Sequence, residues 1–424
     1  MPTRLLRRES LDDNPPRTRR RRSSWFSALL FGGALLCAAC ALAMFVPVPG
    51  LSYSLMLGTW GLDALALLAV ATVLAAVALR RRPGRARAAA VVLLALSLLA
   101  VGGVGAVQIH FASARGVSLD ALALTGIGQV GSAPDVVETF LDDSATDQSL
   151  EAGIWLPRDP GTGEPRATSA GAPVVVLLHG GGWMTGDHLN PMTRGQADWF
   201  AEQGYLAIAL DYPLSTPSLQ TWELAETRVG CGLAWVGAHA VQYGGDVNRL
   251  ALVGDSAGGH LALETAARQV LGTVRSSCGG EVPPVDAVSL TYPIADPVVF
   301  HDNPDLVIAP YVRLRAQRYT GGTPAELPER YAEINPVAKI EQIGRMGLGR
   351  RMPPVLVVHG EQDHVVPVVG SRELDAALEA AGVEHETVVV PFADHVLDLN
   401  AGSVSSQLWR RLTLEIFART GLEA

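Results

Sequence analysis

Leu250-Ala251-Leu252-Val253-Gly254-Asp255-Ser256-Ala257-Gly258 runs from four uncharged apolar residues into a glycine-bracketed serine, and an apolar helical pattern over residues 258–271 follows directly. Strand, tight turn and helix in that order form a nucleophile elbow, which presents a serine hydroxyl at the end of a buried strand. The turn leaves no room for side chains at Gly254 and Gly258, where a Cβ would collide with neighbouring backbone, and it holds Ser256 strained and exposed. The pentapeptide alone is a weak signal because its residues are abundant, so the weight falls on what surrounds it.

Upstream, His179-Gly180-Gly181-Gly182-Trp183 closes the apolar run 174–178. Consecutive glycines let a backbone turn several N–H groups toward one point. Gly181 and Gly182, together with the Ala257 N–H, are therefore the expected oxyanion hole. A phosphate-binding glycine loop would need a following Lys-Ser/Thr or a G-x-G-x-x-G spacing, and neither is present. His179 reads as structural.

A serine hydroxyl near neutral pH needs a base to take its proton and a buried acid to hold that base in the right tautomer. Asp363 follows the apolar run 355–358, and His395 follows the next run, 386–390. The order Ser256, Asp363, His395 then defines a triad. Rival acids are Glu361 and Asp394, the latter adjoining the base and reading as a surface residue. Rival bases are His260, which sits on the helix after the elbow, His359 and His364.

Further apolar runs at 136–141, 150–155, 206–210 and 287–290 complete eight candidate strands, with helical patterns at 219–242, 258–271, 371–381 and 403–419 and a Gly/Pro/Thr/Ser-rich loop at 159–172. Continuously apolar strands alternating with helices predict an α/β domain around a mostly parallel sheet with helices on both faces. Residues 298–340 form a long insertion before the strand leading to Asp363; a partial lid and plain surface packing are both open readings. Cys231 and Cys278 are the only cysteines beyond residue 40, and a disulfide between them or two buried thiols are equally open.

The chain is 48% hydrophobic, and three long runs, 25–46, 57–79 and 88–107, account for the excess. Each approaches the roughly 20 residues that cross a bilayer, so three transmembrane helices are expected. Arginine clusters precede the first (Arg17 and Arg19 to Arg22) and separate the second from the third (Arg80 to Arg82, Arg85 and Arg87), while the intervening 47–54 is uncharged. The positive-inside rule places both clusters in the cytoplasm and everything after the third helix outside. The expected organisation is a cytoplasmic Arg-rich tail (1–24), a three-helix anchor (25–109), a linker (110–134) and a catalytic domain (135–424). A cleaved signal peptide is the alternative for the first run; its length and the two spans that follow argue against it. Cys37 and Cys40 read as small membrane residues, and Asp63 as an interfacial acid. Residues 1–109 hold 13 arginines and four acids, leaving 20 basic and 38 acidic residues beyond. Such an acidic body is unsuited to nucleic acid.

These motifs, with Asp211-Tyr212 after a strand, resemble the α/β-hydrolase superfamily, and within it the carboxylesterase branch of hormone-sensitive-lipase-like, acetylesterase and kynurenine formamidase-like enzymes, over residues 135–420. The matching stretches are 179–187, 254–260, 359–367 and 393–395. Pro213-Leu214-Ser215 departs from the family's usual continuation. The resemblance implies hydrolysis of carboxylic esters through an acyl-enzyme, with no metal or organic cofactor; the expected place outside the membrane makes small-molecule or lipid and envelope esters the candidate substrates. Acyl transfer or amide hydrolysis would use the same machinery, and a non-catalytic binding module is the reading from another class.

Overall fold

The structure, a computed structural model, describes residues 17–45, 61–125, 131–159, 163 and 171–424. All eight apolar runs are strands: β1 (Val136–Asp143), β2 (Gln148–Trp155), β3 (Ala172–Leu178), β4 (Leu206–Leu210), β5 (Gly245–Asp255), β6 (Ala287–Thr291), β7 (Val355–Gly360) and β8 (His385–Val390). They form one sheet in the order β1-β2-β4-β3-β5-β6-β7-β8. β2 pairs antiparallel with both β1 and β4, and every other pairing is parallel. β3, β4, β6 and β7 are buried along their whole length. That explains their largely apolar runs, since helices cover both faces.

On one face, α5 (Ala225–His239), α6 (Ser256–Leu271) and α11 (Val368–Ala381) close a core around Val174, Val176, Leu252 and Leu374. On the other, α4 (Pro191–Glu202) and α12 (Val404–Arg419) pack Phe200, Trp409 and Phe417 onto Val175, Leu177 and Val253. Alternate residues of β3 thus feed opposite cores, each fully buried side chain contributing about 1.5–3 kcal/mol.

Three elements differ from expectation. The helix expected from residue 219 starts at Ala225, because Thr216 and Leu219 form a bridge and the Thr221 carbonyl accepts from Leu224 and Ala225 N–H. α4 was not expected; it buries Thr193, Gln196 and Ala197 beside Phe200, too few large apolar residues to mark a period, and is started by the Asn190 cap and Pro191. The insertion at 298–340 is largely helical, with α7 (Pro297–His301), α8 (Ala309–Thr320), α9 (Pro328–Glu333) and α10 (Pro336–Arg345).

Ahead of the sheet stand α1 (Arg17–Ala43), α2 (Gly61–Arg81) and α3 (Arg85–Ser113), whose stretches Trp25–Ala43, Asp63–Arg81 and Arg85–Ser113 are long and apolar enough to cross a membrane. They meet through Ala34, Ala75, Ala90 and Leu94, with leucines such as Leu29 and Leu67 exposed around them. The first 16 residues, the uncharged loop at 47–54 and most of the loop at 159–172 lie outside the described residues. α3 continues past the expected start of the linker to Ser113, because Ala112 finds apolar cover in the core beneath α12 and Gln108 Nε2 donates to Pro391 O at 3.1 Å.

Candidate active site

Ser256 opens α6 at the end of β5, with φ +51°, a left-handed conformation costly for any residue but glycine. A Cβ on Gly254 would lie 2.5 Å from Gly258 O, and one on Gly258 only 1.9 Å from Leu178 O. Gly254 is thus required by the tightness of the elbow itself, and Gly258 by its contact with β3. Ala257 is the second residue of α6, so its N–H has no acceptor within the helix. In the neighbouring loop Gly181 (φ +128°) and Gly182 (φ +60°) both adopt backbone that suits glycine, and a Cβ on Gly181 would fall 1.8 Å from Thr185 O.

Ser256 is strained as expected but is only 6% exposed. The insertion covers this edge: the Arg315 side chain of α8 lies where a Gly182 side chain would be, its Cδ 2.4 Å from the ideal Cβ. Trp183, next to the glycines, stacks on Tyr319 of the same helix at 4.3 Å and meets Phe300 and His260 edge-on. The residues that depart from the family pattern brace this loop, since Ser215 N–H donates to Trp183 O at 2.8 Å.

Asp363 and His395 come together at the same carboxyl edge of the sheet. His395 Nδ1 lies 2.8 Å from Asp363 Oδ2, and both residues are buried. The second carboxylate oxygen accepts the N–H groups of Val365 and Val366 at 2.8 and 2.7 Å. Burial alone would raise the pKa of Asp363, but the His395 charge and hydrogen bonds from His359 and His395 outweigh it and hold the carboxyl well below its usual range. Burial pulls His395 down, and the Asp363 charge and hydrogen bond more than compensate, so its pKa is raised above 6.5.

The rivals occupy other places. His359 Nε2 reaches Val366 O at 3.0 Å and Asp363 Oδ2 at 3.2 Å, and its Nδ1 meets Ser371 Oγ at 2.7 Å, so it braces the acid from behind. His260 Nε2 lies 2.7 Å from Ile334 O. Glu361 is exposed. Asp394 corrects the sequence reading: it is 1% exposed, not a surface residue, because its carboxylate accepts the N–H groups of His364 and His395 and pairs with His364 Nδ1 at 2.9 Å. It therefore shapes the turn that delivers His395. His179 is structural as expected, buried, stacked on Tyr212 at 4.3 Å and accepting the Tyr212 hydroxyl on its carbonyl.

Several residues at this edge had no signal in the sequence. Tyr292, after β6, packs its ring 4.4 Å from that of His395, while Ile294 N–H donates to Ser256 O, so this one segment touches both residues. The Tyr292 hydroxyl donates to Asp398, which also accepts from Gln196 Nε2 at 2.6 Å. Burial raises Asp398 and pushes Asp255 up to about 8, with the Asp398 charge adding to the latter. A protonated Asp255 adds no second charge next to Ser256 near neutral pH. Glu151, His188 and Asp211 bring potential metal ligands within 4.8 Å of one another. Asp211 is already occupied by His188 N–H, His188 Nδ1 and Glu151 N–H, which makes the group a tie between strands β2 and β4 and the glycine loop.

Cys231 of α5 and Cys278 in the loop before β6 are joined as a disulfide with Cα atoms 5.3 Å apart.

The BD-FAE family model matches residues 163–378, half of the chain, which takes in Ser256 and Asp363 and stops short of His395. Among curated proteins, the chain is 27% identical to Esterase LipQ of Mycobacterium tuberculosis over 56% of its own length and 53% of LipQ's. It is 31% identical to Probable carboxylic ester hydrolase LipM of the same organism over 54% of this chain and 50% of LipM. Isoprenylcysteine alpha-carbonyl methylesterase ICME of Arabidopsis thaliana is 25% identical over 53% of this chain and 50% of its own. The match spans about half the length of these relatives. Among solved structures, the native thermophilic esterase Est2 of Thermogutta terrifontis superposes with a TM-score of 0.52 at 22% identity, covering 68% of this chain and 93% of Est2. That likeness establishes the α/β-hydrolase fold.

Proposed function

The chain belongs to the BD-FAE family, and from that premise we propose that it hydrolyses carboxylic esters through an acyl-enzyme formed on Ser256. His395 Nε2 takes the Ser256 proton as the oxygen attacks the ester carbonyl, the N–H groups of Gly181, Gly182 and Ala257 bind the oxyanion, and His395 returns the proton to the leaving alcohol. Water then enters by the same route and releases the acid. The reading rests above all on the buried Asp363–His395 pair, in which an ionised Asp363 fixes the imidazole through Nδ1 and leaves Nε2 for the serine. The curated relatives named as esterases point the same way.

The three apolar helices serve as an integral anchor with the N-terminus in the cytoplasm and the catalytic domain outside. Supporting this are their length, the placement of arginines in the first turns of α1 ahead of its apolar stretch and at the junction of α2 and α3, and the Cys231–Cys278 disulfide, which suits an oxidising compartment.

Ser256→Ala is expected to lower kcat/KM on p-nitrophenyl esters by at least about 10⁴-fold. The measurement compares the folded variant with wild type over acetyl to long-chain esters. Hydrolysis that survives in the variant would remove Ser256 from the mechanism.

A further inference from the structure

The three apolar helices converge on the loop that carries His395. Phe45, just past α1, packs edge-on against Phe392 at 5.5 Å, and Met44 with Val104 of α3 closes around the same ring. Next to α2, the turn at Ala123–Thr125 lies against Gly402, where a Cβ would sit 1.8 Å from Ala123 O. Along α3 the neighbours change in order: Ala112 lies in the core beneath α12, Gln108 bonds Pro391 at the end of β8, Val104 touches Phe392, and Leu94 meets only the other apolar helices. The spans therefore leave from the carboxyl edge of the sheet, the edge that holds Ser256, Asp363 and His395.

That edge is also where the domain is apolar. Beyond the third span, eleven large hydrophobic residues are exposed among the described residues, and eight stand on segments at the carboxyl edge, including Leu122, Leu306, Val307, Tyr311, Leu314 and Leu399. Tyr311 and Leu314 share one face of α8, and Leu306 and Val307 stand in the turn that leads into it. α8 carries Arg313, Arg315 and Arg318 and no acid, within a part of the chain where acids outnumber bases by 38 to 20. Arg315 stacks on Tyr311 at 3.7 Å and overhangs Gly182, and no carboxylate pairs with it among the described residues. An apolar face edged with arginine is the composition of a helix that lies in the head-group layer of a membrane.

We propose that the carboxyl edge faces the bilayer holding the three spans, with the exposed face of α8 in the head-group layer, and that the substrate is an acyl ester of a membrane amphiphile with an anionic head group. The proposal rests on the esterase and anchor readings above. The overall reaction consumes the ester and one water and releases the fatty acid and the head-group alcohol. Substrate then needs no transit through water, because the edge that carries Ser256 faces the layer where its ester groups lie.

The test uses the full chain in vesicles of mixed phosphatidylcholine and phosphatidylglycerol carrying a fluorogenic phospholipid ester, with p-nitrophenyl butyrate in solution as the second substrate. In the double variant Leu306→Gln, Leu314→Gln, hydrolysis of the vesicle-borne ester is expected to fall about tenfold, with the soluble ester changed less than about twofold. A dye on Leu314→Cys, with Cys37→Ser and Cys40→Ser, is expected to be quenched by doxyl-labelled lipid. Equal effects on both substrates, or a dye untouched by the quencher, would overturn the proposal. Release of wild type by alkaline carbonate would instead remove the anchor beneath it. Hydrolysis of both esters unaltered by Ser256→Ala would remove the esterase reading.

Discussion

Asp363→Asn is expected to reduce kcat on a short p-nitrophenyl ester by about 10⁴-fold in a protein that still folds. The asparagine oxygen can keep the two hydrogen bonds from Val365 and Val366 N–H, which fixes the amide nitrogen toward His395 and His359. An N–H donor facing His395 Nδ1 forces the imidazole to carry its proton on Nε2, where it can no longer accept from Ser256. The pH profile should move as well. Asp363 raises the His395 pKa in the wild type, so the activity, which needs neutral His395, rises with pH through a midpoint above 6.5. Loss of the carboxylate removes that support, and the residual activity should rise at lower pH. A loss under tenfold would mean that another acid, Asp394 being nearest in sequence, holds the base.

Gly258→Ala is expected to cost more than about 4 kcal/mol of stability, lowering the melting temperature of the full chain in detergent by roughly 10 °C or more. The added methyl would meet Leu178 O at 1.9 Å, Leu178 C at 2.5 Å and His179 O at 2.6 Å. All three are backbone atoms of β3 and the glycine loop, so relief requires prising the elbow from the sheet, and activity should fall with it. Gly272→Ala is the internal comparison. It has open space around it and a positive φ of +70°, and should cost only about 1 kcal/mol. Similar melting temperatures for the two variants would show that the elbow does not press on β3 as tightly as these distances require.

The sheet was legible because burial on both faces demands mostly apolar strands, a mark clearest in β3 and β4, while the edge strands β1 and β8 carry polar residues and showed it less. The elbow was legible for a related reason: Gly254 and Gly258 are imposed by contacts so close that only hydrogen fits. Asp363 and His395 could be named as candidates by their position after apolar runs, but what surrounds them could not. Asp394 looked like a surface acid because nothing local shows that its carboxylate closes a turn on two backbone N–H groups. Ser256 was expected to be exposed because the elbow alone presents it to solvent, whereas α8 arrives from an insertion some 50 residues downstream. The length of α3 was underestimated for the same kind of reason. Ala112 and Gln108 are held helical by partners near residues 391 and 409, and polarity along the sequence gives no hint of them.

The division of labour that results is physical. The parallel core fixes where β3, β5, β7 and β8 end, and the candidate site residues stand on the loops that follow. Close contacts and positive φ fix the backbone at Gly181, Gly258 and Ser256, while hydrogen bonds through Asp363 and Asp394 set the orientation of the His395 imidazole. Burial favours the neutral form of the Asp255 carboxyl, which adjoins Ser256.

The most direct measurement of the central claim is reaction of the full chain with a fluorophosphonate, followed by peptide mapping of the adduct by mass spectrometry. A single adduct on Ser256, formed quickly by wild type and at least about 100-fold more slowly by Asp363→Asn, is the predicted result. A folded protein that forms no adduct, or carries it on a different residue, would contradict the account.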